Sequence, residues 1–117
     1  AKNGAGIYDG GGNGVIAYNQ IYSNTVTQDG GGIRIAATGT VVSLNRIYDN
    51  SATSGISFGG GIYADQPAFL QGNWIYRNHG DYGGGIGIGS VVTATNNILY
   101  GNTAAQQGGG VYNFATI

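Results

Sequence analysis

The sequence predicts an all-β chain wound as a parallel β-solenoid. Three observations predict it. Glycine-rich motifs recur along the chain, an Asn-x-[Ile/Leu]-Tyr-x-Asn hexad alternates with them, and the apolar residues between follow a period of two. The glycine motifs are GAGIY at 4–8, GGGIR at 30–34, GGGIY at 59–63, GGGIG at 83–87 and GGGVY at 108–112. Their first glycines define repeats of 24–29 residues, so the 117 residues hold about four and a half coils in one domain, 1–117. A self-similar period of this length, built of short strands, reads as one coil per repeat.

The glycine motif excludes a helix, because each interior Gly costs about 1 kcal/mol there. It instead supplies turns through positive φ. The hexads are NQIYSN (19–24), NRIYDN (45–50), NWIYRN (73–78) and NILYGN (97–102). Asn tolerates left-handed backbone, and its amide can bond a like amide one coil away. Asn24, Asn50, Asn78 and Asn102 are therefore expected to form an internal ladder, and Asn19, Asn45, Asn73 and Asn97 a second.

Stacking places like residues about 4.8 Å apart. Three apolar columns follow. Ile7, Ile33, Ile62, Ile86 and Val111 form one, and Ile21, Ile47, Ile75 and Leu99 another. Ile16, Val42, Leu70 and Ala94 form the remaining column. In the second repeat, Val42, Leu44 and Ile47 are expected inward, and Val41, Ser43, Arg46 and Tyr48 outward, with the parity switching near Asn45.

Composition narrows the function classes. Charged residues are 8%, the net charge is −1, and there is no basic run, which removes the usual source of phosphate attraction. No nucleic-acid partner is expected. No apolar run reaches the roughly 18–20 residues of a membrane-spanning helix. The chain has no Cys, hence no disulfide or thiolate metal site. Neither a metal nor a cofactor is expected.

The paired motifs GGGIY (59–63) and IYDNSA (47–52) resemble the GGA[Ile/Leu/Val] and FxxN repeats of polymorphic outer-membrane proteins, with Ile in place of Phe. More broadly, the chain resembles the right-handed parallel β-helices of bacterial surface proteins and the pectate-lyase-like superfamily. The resemblance covers essentially the whole chain and implies a right-handed coil. It also implies an extracellular or cell-surface location and a passenger or adhesin role.

The outward residues carry the candidate chemistry. Tyr22, Tyr48, Tyr76 and Tyr100 occupy one place in every coil and form a candidate binding or packing face. Arg46 and Trp74, one coil apart, belong to the same face and are expected to pair as cation and ring. Asp49 and Arg77 are expected to form an exposed ion pair. Tyr8, Tyr63 and Tyr112 start a second outward column, interrupted by Arg34 and Gly87.

Catalytic residues are hard to assemble. Asp29 and Asp81 lie near one corner, about 10 Å apart across two coils, a separation close to that of paired glycosidase carboxyls. The only His, His79, reads as exposed polar surface, and DGGGNG (9–14) as a turn with too few oxygens for Ca²⁺. The Thr-x-Thr pairs do not align as an ice-binding ladder, and GGGIGIGS (83–90) lacks a nucleotide-loop pattern.

The expectation is a non-enzymatic structural protein, a surface stalk or adhesin segment or a self-assembling filament subunit. The alternative is a carbohydrate-binding module using the Tyr column. A polysaccharide lyase or hydrolase ranks third. Open apolar ends point either to copies of the chain stacking end to end or to the rest of a longer chain.

Overall fold

Glycine corners, asparagine corners and short apolar strands do wind this chain into a parallel β-solenoid of about four turns. A computed structural model describes residues 6–115. Gly4 and Ala5 of the first glycine motif, and the terminal Thr116 and Ile117, lie outside the described residues.

The first coil holds β1 (Ile7–Asp9), β2 (Val15–Ala17), β3 (Gln20–Tyr22) and β4 (Thr25–Val26). The second holds β5 (Ile33–Ile35), β6 (Thr40–Ser43), β7 (Arg46–Tyr48) and β8 (Ser51–Ala52). The third holds β9 (Ile62–Ala64), β10 (Ala68–Gln71), β11 (Trp74–Tyr76) and β12 (His79–Tyr82). The fourth holds β13 (Ile86–Ile88), β14 (Val92–Thr95), β15 (Ile98–Tyr100) and β16 (Thr103–Gln107), and β17 (Val111–Asn113) begins a further coil.

These strands form four parallel walls. The first runs β1-β5-β9-β13-β17, the second β2-β6-β10-β14, the third β3-β7-β11-β15 and the fourth β4-β8-β12-β16. The pairings join the predicted columns in register. Ile7 pairs with Ile33, Ile33 with Ile62, Ile62 with Ile86, and Ile86 with Val111. The Ile21 column and the Ile16 column pair likewise. Their central members are wholly buried, so the apolar columns meet in one continuous core.

The structure corrects the sequence reading at two places. Leu44 does not point inward. It sits at φ +57° and is 52% exposed. The residue before each ladder Asn holds this left-handed conformation: Tyr18, Leu44, Gly72 and Asn96 at one corner, Ser23, Asp49, Arg77 and Gly101 at the other. The chain turns at that residue, and this swings its side chain outward. The second difference is a fourth wall, β4-β8-β12-β16, where the sequence reading had three. Val26, Ala52, Gly80 and Ala104 share its register. Two of its strands are only two residues long, too short to show a period.

Both Asn ladders form. The main-chain N–H and Nδ2 of Asn24 donate to Asn50 Oδ1, those of Asn50 to Asn78 Oδ1, and those of Asn78 to Asn102 Oδ1, all at 3.0–3.1 Å. Asn19, Asn45, Asn73 and Asn97 repeat the pattern at the other corner. Each Nδ2 beyond the first coil also donates backward, as from Asn50 to Ile21 O at 2.9 Å and from Asn73 to Val42 O at 2.9 Å. The ladder thereby pairs groups that the corner would otherwise bury unbonded, at about 1–3 kcal/mol each.

Candidate functional site

The third residue of each strand in the third wall is tyrosine, and the strand pleat turns it outward. The four rings stack nearly parallel. Centroid separations are 5.1 Å for Tyr22–Tyr48, 4.9 Å for Tyr48–Tyr76 and 4.9 Å for Tyr76–Tyr100, with interplanar angles of 4–5°. That spacing is the spacing of the coils. Each inner ring therefore has a neighbour over both faces. The column offers solvent a row of ring edges and hydroxyls, with Tyr22 and Tyr100 about half exposed. The Tyr48 hydroxyl donates to Gln20 Oε1 at 3.1 Å. Packing against the neighbouring rings, then the phenols of Tyr76 and Tyr22, push the Tyr48 hydroxyl above its ordinary pKa.

The flanking residues are where the sequence placed them. The Arg46 guanidinium lies 5.0 Å from the Trp74 ring centroid. Arg77 grips Asp49 with two bonds, Nε to Oδ1 at 2.9 Å and a terminal nitrogen to Oδ2 at 3.0 Å. Its guanidinium also lies over Tyr76 at 5.1 Å. A hollow of about 220 Å³ opens beside Trp74, lined by Leu44, Asn45, Arg46 and Gly72.

The second aromatic column departs from expectation. Tyr8 is exposed, but Tyr63 is buried. The longest repeat contains an excursion, 53–58, that returns to the wall at Phe58. Gly87 leaves a gap in the column, and Phe58 fills it. A Cβ at Gly87 would lie 3.1 Å from Phe58 Cβ and 3.2 Å from Tyr63 Cδ1. Phe58 thus packs on Tyr63 (5.5 Å), Tyr82 (5.5 Å) and Phe114 (4.6 Å).

Beside this cluster lies a charged group that the sequence reading missed. Arg34 bridges Asp29 Oδ2 at 3.3 Å and Asp65 Oδ2 at 2.6 Å, and its guanidinium lies 4.8 Å from the Tyr63 centroid. Burial, then the nearby Asp65 and Asp29, push the Tyr63 hydroxyl up to about 12. Burial also raises Asp29. The available signal was Arg34 standing in a tyrosine column, with Asp29 at the corner before it.

The two carboxylates considered for catalysis both hold the excursion. Asp81 Oδ2 accepts from the main-chain N–H of Ser54 (3.0 Å), Gly55 (2.7 Å) and Ser57 (3.0 Å). Asp29 Oδ1 accepts from Phe58 N–H at 2.8 Å. His79 lies on β12 with Nδ1 2.7 Å from Thr103 Oγ1. In DGGGNG, Asp9 Oδ1 accepts from Gly11 and Gly12, closing a turn. Among the described residues, no three of His, Asp and Glu converge as a metal site.

Fold and repeat together define the class: a parallel β-solenoid repeat protein, its coils joined by polar ladders inside and an aromatic ladder outside. Compared with family models, curated proteins and solved structures, the chain finds no match.

Proposed function

We propose that this chain is a non-enzymatic structural element, an extracellular β-solenoid that serves as a surface stalk or adhesin segment or as a filament subunit. One observation carries this reading: the side chains that recur in every coil bond to their own equivalents one coil away. The ladder asparagines do so inside, and the tyrosines do so outside. A site for a foreign molecule needs groups left over, and the recurring groups are engaged in stacking. The resemblance of the GGGIY and IYDNSA motifs to polymorphic outer-membrane-protein repeats, and to the β-helices of the pectate-lyase-like superfamily, supports the surface location. The charge-poor, Gly- and Asn-rich composition fits close lateral packing.

A second reading, binding of polysaccharide on the third wall, is favoured by the row of tyrosine hydroxyls beside Arg46 and the Trp74 hollow. A sugar would meet ring edges there, because stacking covers the inner faces, and sugar recognition by aromatic residues works best through faces. Glycan-array binding and turnover of acidic polysaccharides separate the readings. The structural reading expects neither. Binding abolished by Tyr48→Ala and Tyr76→Ala would replace it with the second reading, and turnover abolished by Asp29→Asn with an enzyme. The surface assignment expects antibodies against the chain to label intact producing cells. Labelling only after lysis contradicts it.

A further inference from the structure

Oxidising equivalents have few places to settle in this chain. It has no Cys and no Met, the side chains that ordinarily take them up. Nine Tyr and one Trp remain. Four of the nine stand in the stack on the third wall, and Trp74 stands in the same wall on β11. The two residue types are not equal under one-electron oxidation. The Arg46 guanidinium lies 5.0 Å from the Trp74 ring centroid, so a positive charge opposes an indole radical cation. A tyrosine gives up an electron and its phenolic proton and ends as a neutral phenoxyl. Arg77, 5.1 Å from the Tyr76 centroid, opposes that little, and Asp49 already offsets its charge through two bonds.

The stack also decides what a phenoxyl meets. Tyr48 and Tyr76 lie in register on β7 and β11, with ring centroids 4.9 Å apart and planes 4° from parallel. Each ring carbon therefore faces its own equivalent at nearly the centroid distance. The para carbon carries Cβ, which leaves the ortho carbons, where the unpaired electron also resides, as the open positions. Two reacting rings already side by side in one molecule need no diffusional encounter. Both are half-buried, and the Tyr48 hydroxyl, bonded to Gln20 Oε1, lies at the exposed edge of the stack.

Exposure alone would select other tyrosines. Tyr18 is 81% exposed and Tyr8 55%, the highest values among the tyrosines, yet neither has a ring neighbour among the described residues. Tyr82 and Tyr112 have centroids 5.1 Å apart, but their planes differ by 47° and Phe58 packs on both. Only the third wall offers tyrosines that are at once parallel and adjacent.

We propose that the tyrosine stack is a site of oxidative coupling, where hydrogen peroxide acting through a haem peroxidase joins neighbouring rings as dityrosine, with Tyr48–Tyr76 the central pair. Each phenol loses its O–H hydrogen as an electron and a proton. The two phenoxyls form one C–C bond between ortho carbons. Each of those carbons then releases its hydrogen as a proton, and each phenolic oxygen takes one up. Two phenols and one peroxide thus give one dityrosine and two waters. The peroxide O–O bond breaks and peroxide is reduced. The new bond ties coil to coil outside, as the Asn ladders do inside. This goes beyond the structural reading, because it depends on the stack and not on what the chain is for.

The test treats the dilute 117-residue chain with a haem peroxidase and limiting hydrogen peroxide. Dityrosine fluorescence and a cross-linked peptide map are read. The expected product is a monomer lighter by two hydrogen atoms, its link mapped to Tyr48–Tyr76 or another adjacent pair of the stack. It should also show a higher urea midpoint, since the bond closes a loop in the unfolded chain. Tyr48→Phe with Tyr100→Phe keeps four stacked rings but leaves no two tyrosines adjacent. That variant should keep the parent's circular dichroism spectrum and lose most of the fluorescence. Tyr8→Phe with Tyr18→Phe should match the parent. Absence of dityrosine in the parent overturns the proposal. So do links mapped chiefly to Tyr8 or Tyr18, or equal fluorescence from the Tyr48 and Tyr100 variant. The parent's peptide map decides independently of how either variant folds.

Discussion

At the residue scale, the asparagines and the residues before them do different work. The Asn bonds the coils, and its predecessor makes the corner. Six of the eight predecessors are not glycine, yet hold φ between +53° and +60°. Left-handed backbone costs a residue such as leucine about 1–2 kcal/mol, and Asn tolerates it better. Leu44 is half exposed and gives up little packing. Leu44→Asn is expected to raise stability by about 0.5–1 kcal/mol, read as a higher urea midpoint; a lower midpoint would mean that its contact beside Gly72 matters more than its backbone. The ladders were legible in the sequence because one residue type recurs at one spacing. The orientation of Leu44 was not, because a left-handed residue shifts the inside-outside alternation and nothing in the letter Leu announces it.

Elements differ in how the coils hold them. Gly61 lies where a Cβ would be 2.6 Å from the Gly85 carbonyl, a main-chain atom that cannot step aside. Gly61→Ala should cost about 1–3 kcal/mol, as overpacking does. Gly14 has open space around it, and Gly14→Ala should stay within about 0.5 kcal/mol of the parent. Comparable losses for both would contradict the close approach at Gly61, because the chain entropy removed with a glycine favours the fold at either position.

The 53–58 excursion is held by charge. Burial pushes Asp81 upward, but the N–H groups of Ser54, Ser57 and Gly55 outweigh it and keep the carboxyl below its ordinary value. A carboxyl with a lowered folded pKa adds stability above its unfolded value of about 3.9 and loses it as pH falls through the folded pKa. Asp29 has the opposite sign: burial raises it, so its ionisation works against the fold as pH rises. Protection of the 54–57 amides, taken relative to their intrinsic exchange at each pH, is expected to fall as the pH drops below about 4, and Asp81→Asn should remove most of that dependence. Unchanged acid dependence in Asp81→Asn would assign it to another carboxyl. The excursion and its aromatic cluster were not legible in advance. Phe58, Tyr63 and Phe114 come from separate parts of the chain, and their meeting depends on the gap at Gly87.

For the whole molecule, the repeat that first looks like a recognition motif works as a scaffold. In NRIYDN (45–50), Asn45, Ile47 and Asn50 are buried, and Tyr48 is stacked between two tyrosines. The apolar columns and the four tyrosines were readable because stacking makes like residues neighbours. The fourth wall was hidden by strands of two residues, and the Arg34 bridge by partners from different coils. Tests of surface exposure and glycan binding address what the scaffold is for.

That the hexad holds coil to coil is tested most directly by a double-mutant cycle on Asn50 and Asn78, measured by equilibrium urea unfolding. Asn50→Ala takes away the acceptor of the Asn24 N–H and Nδ2 and the Nδ2 donor to Ile21 O, while its main-chain N–H still reaches Asn78 Oδ1. At about 1–3 kcal/mol per orphaned buried group, each single variant should lose about 3 kcal/mol or more. The pair should lose less than the sum, with a coupling of about 1–3 kcal/mol. Losses under about 0.5 kcal/mol that simply add would contradict the account and return the hexad to the surface as a recognition motif.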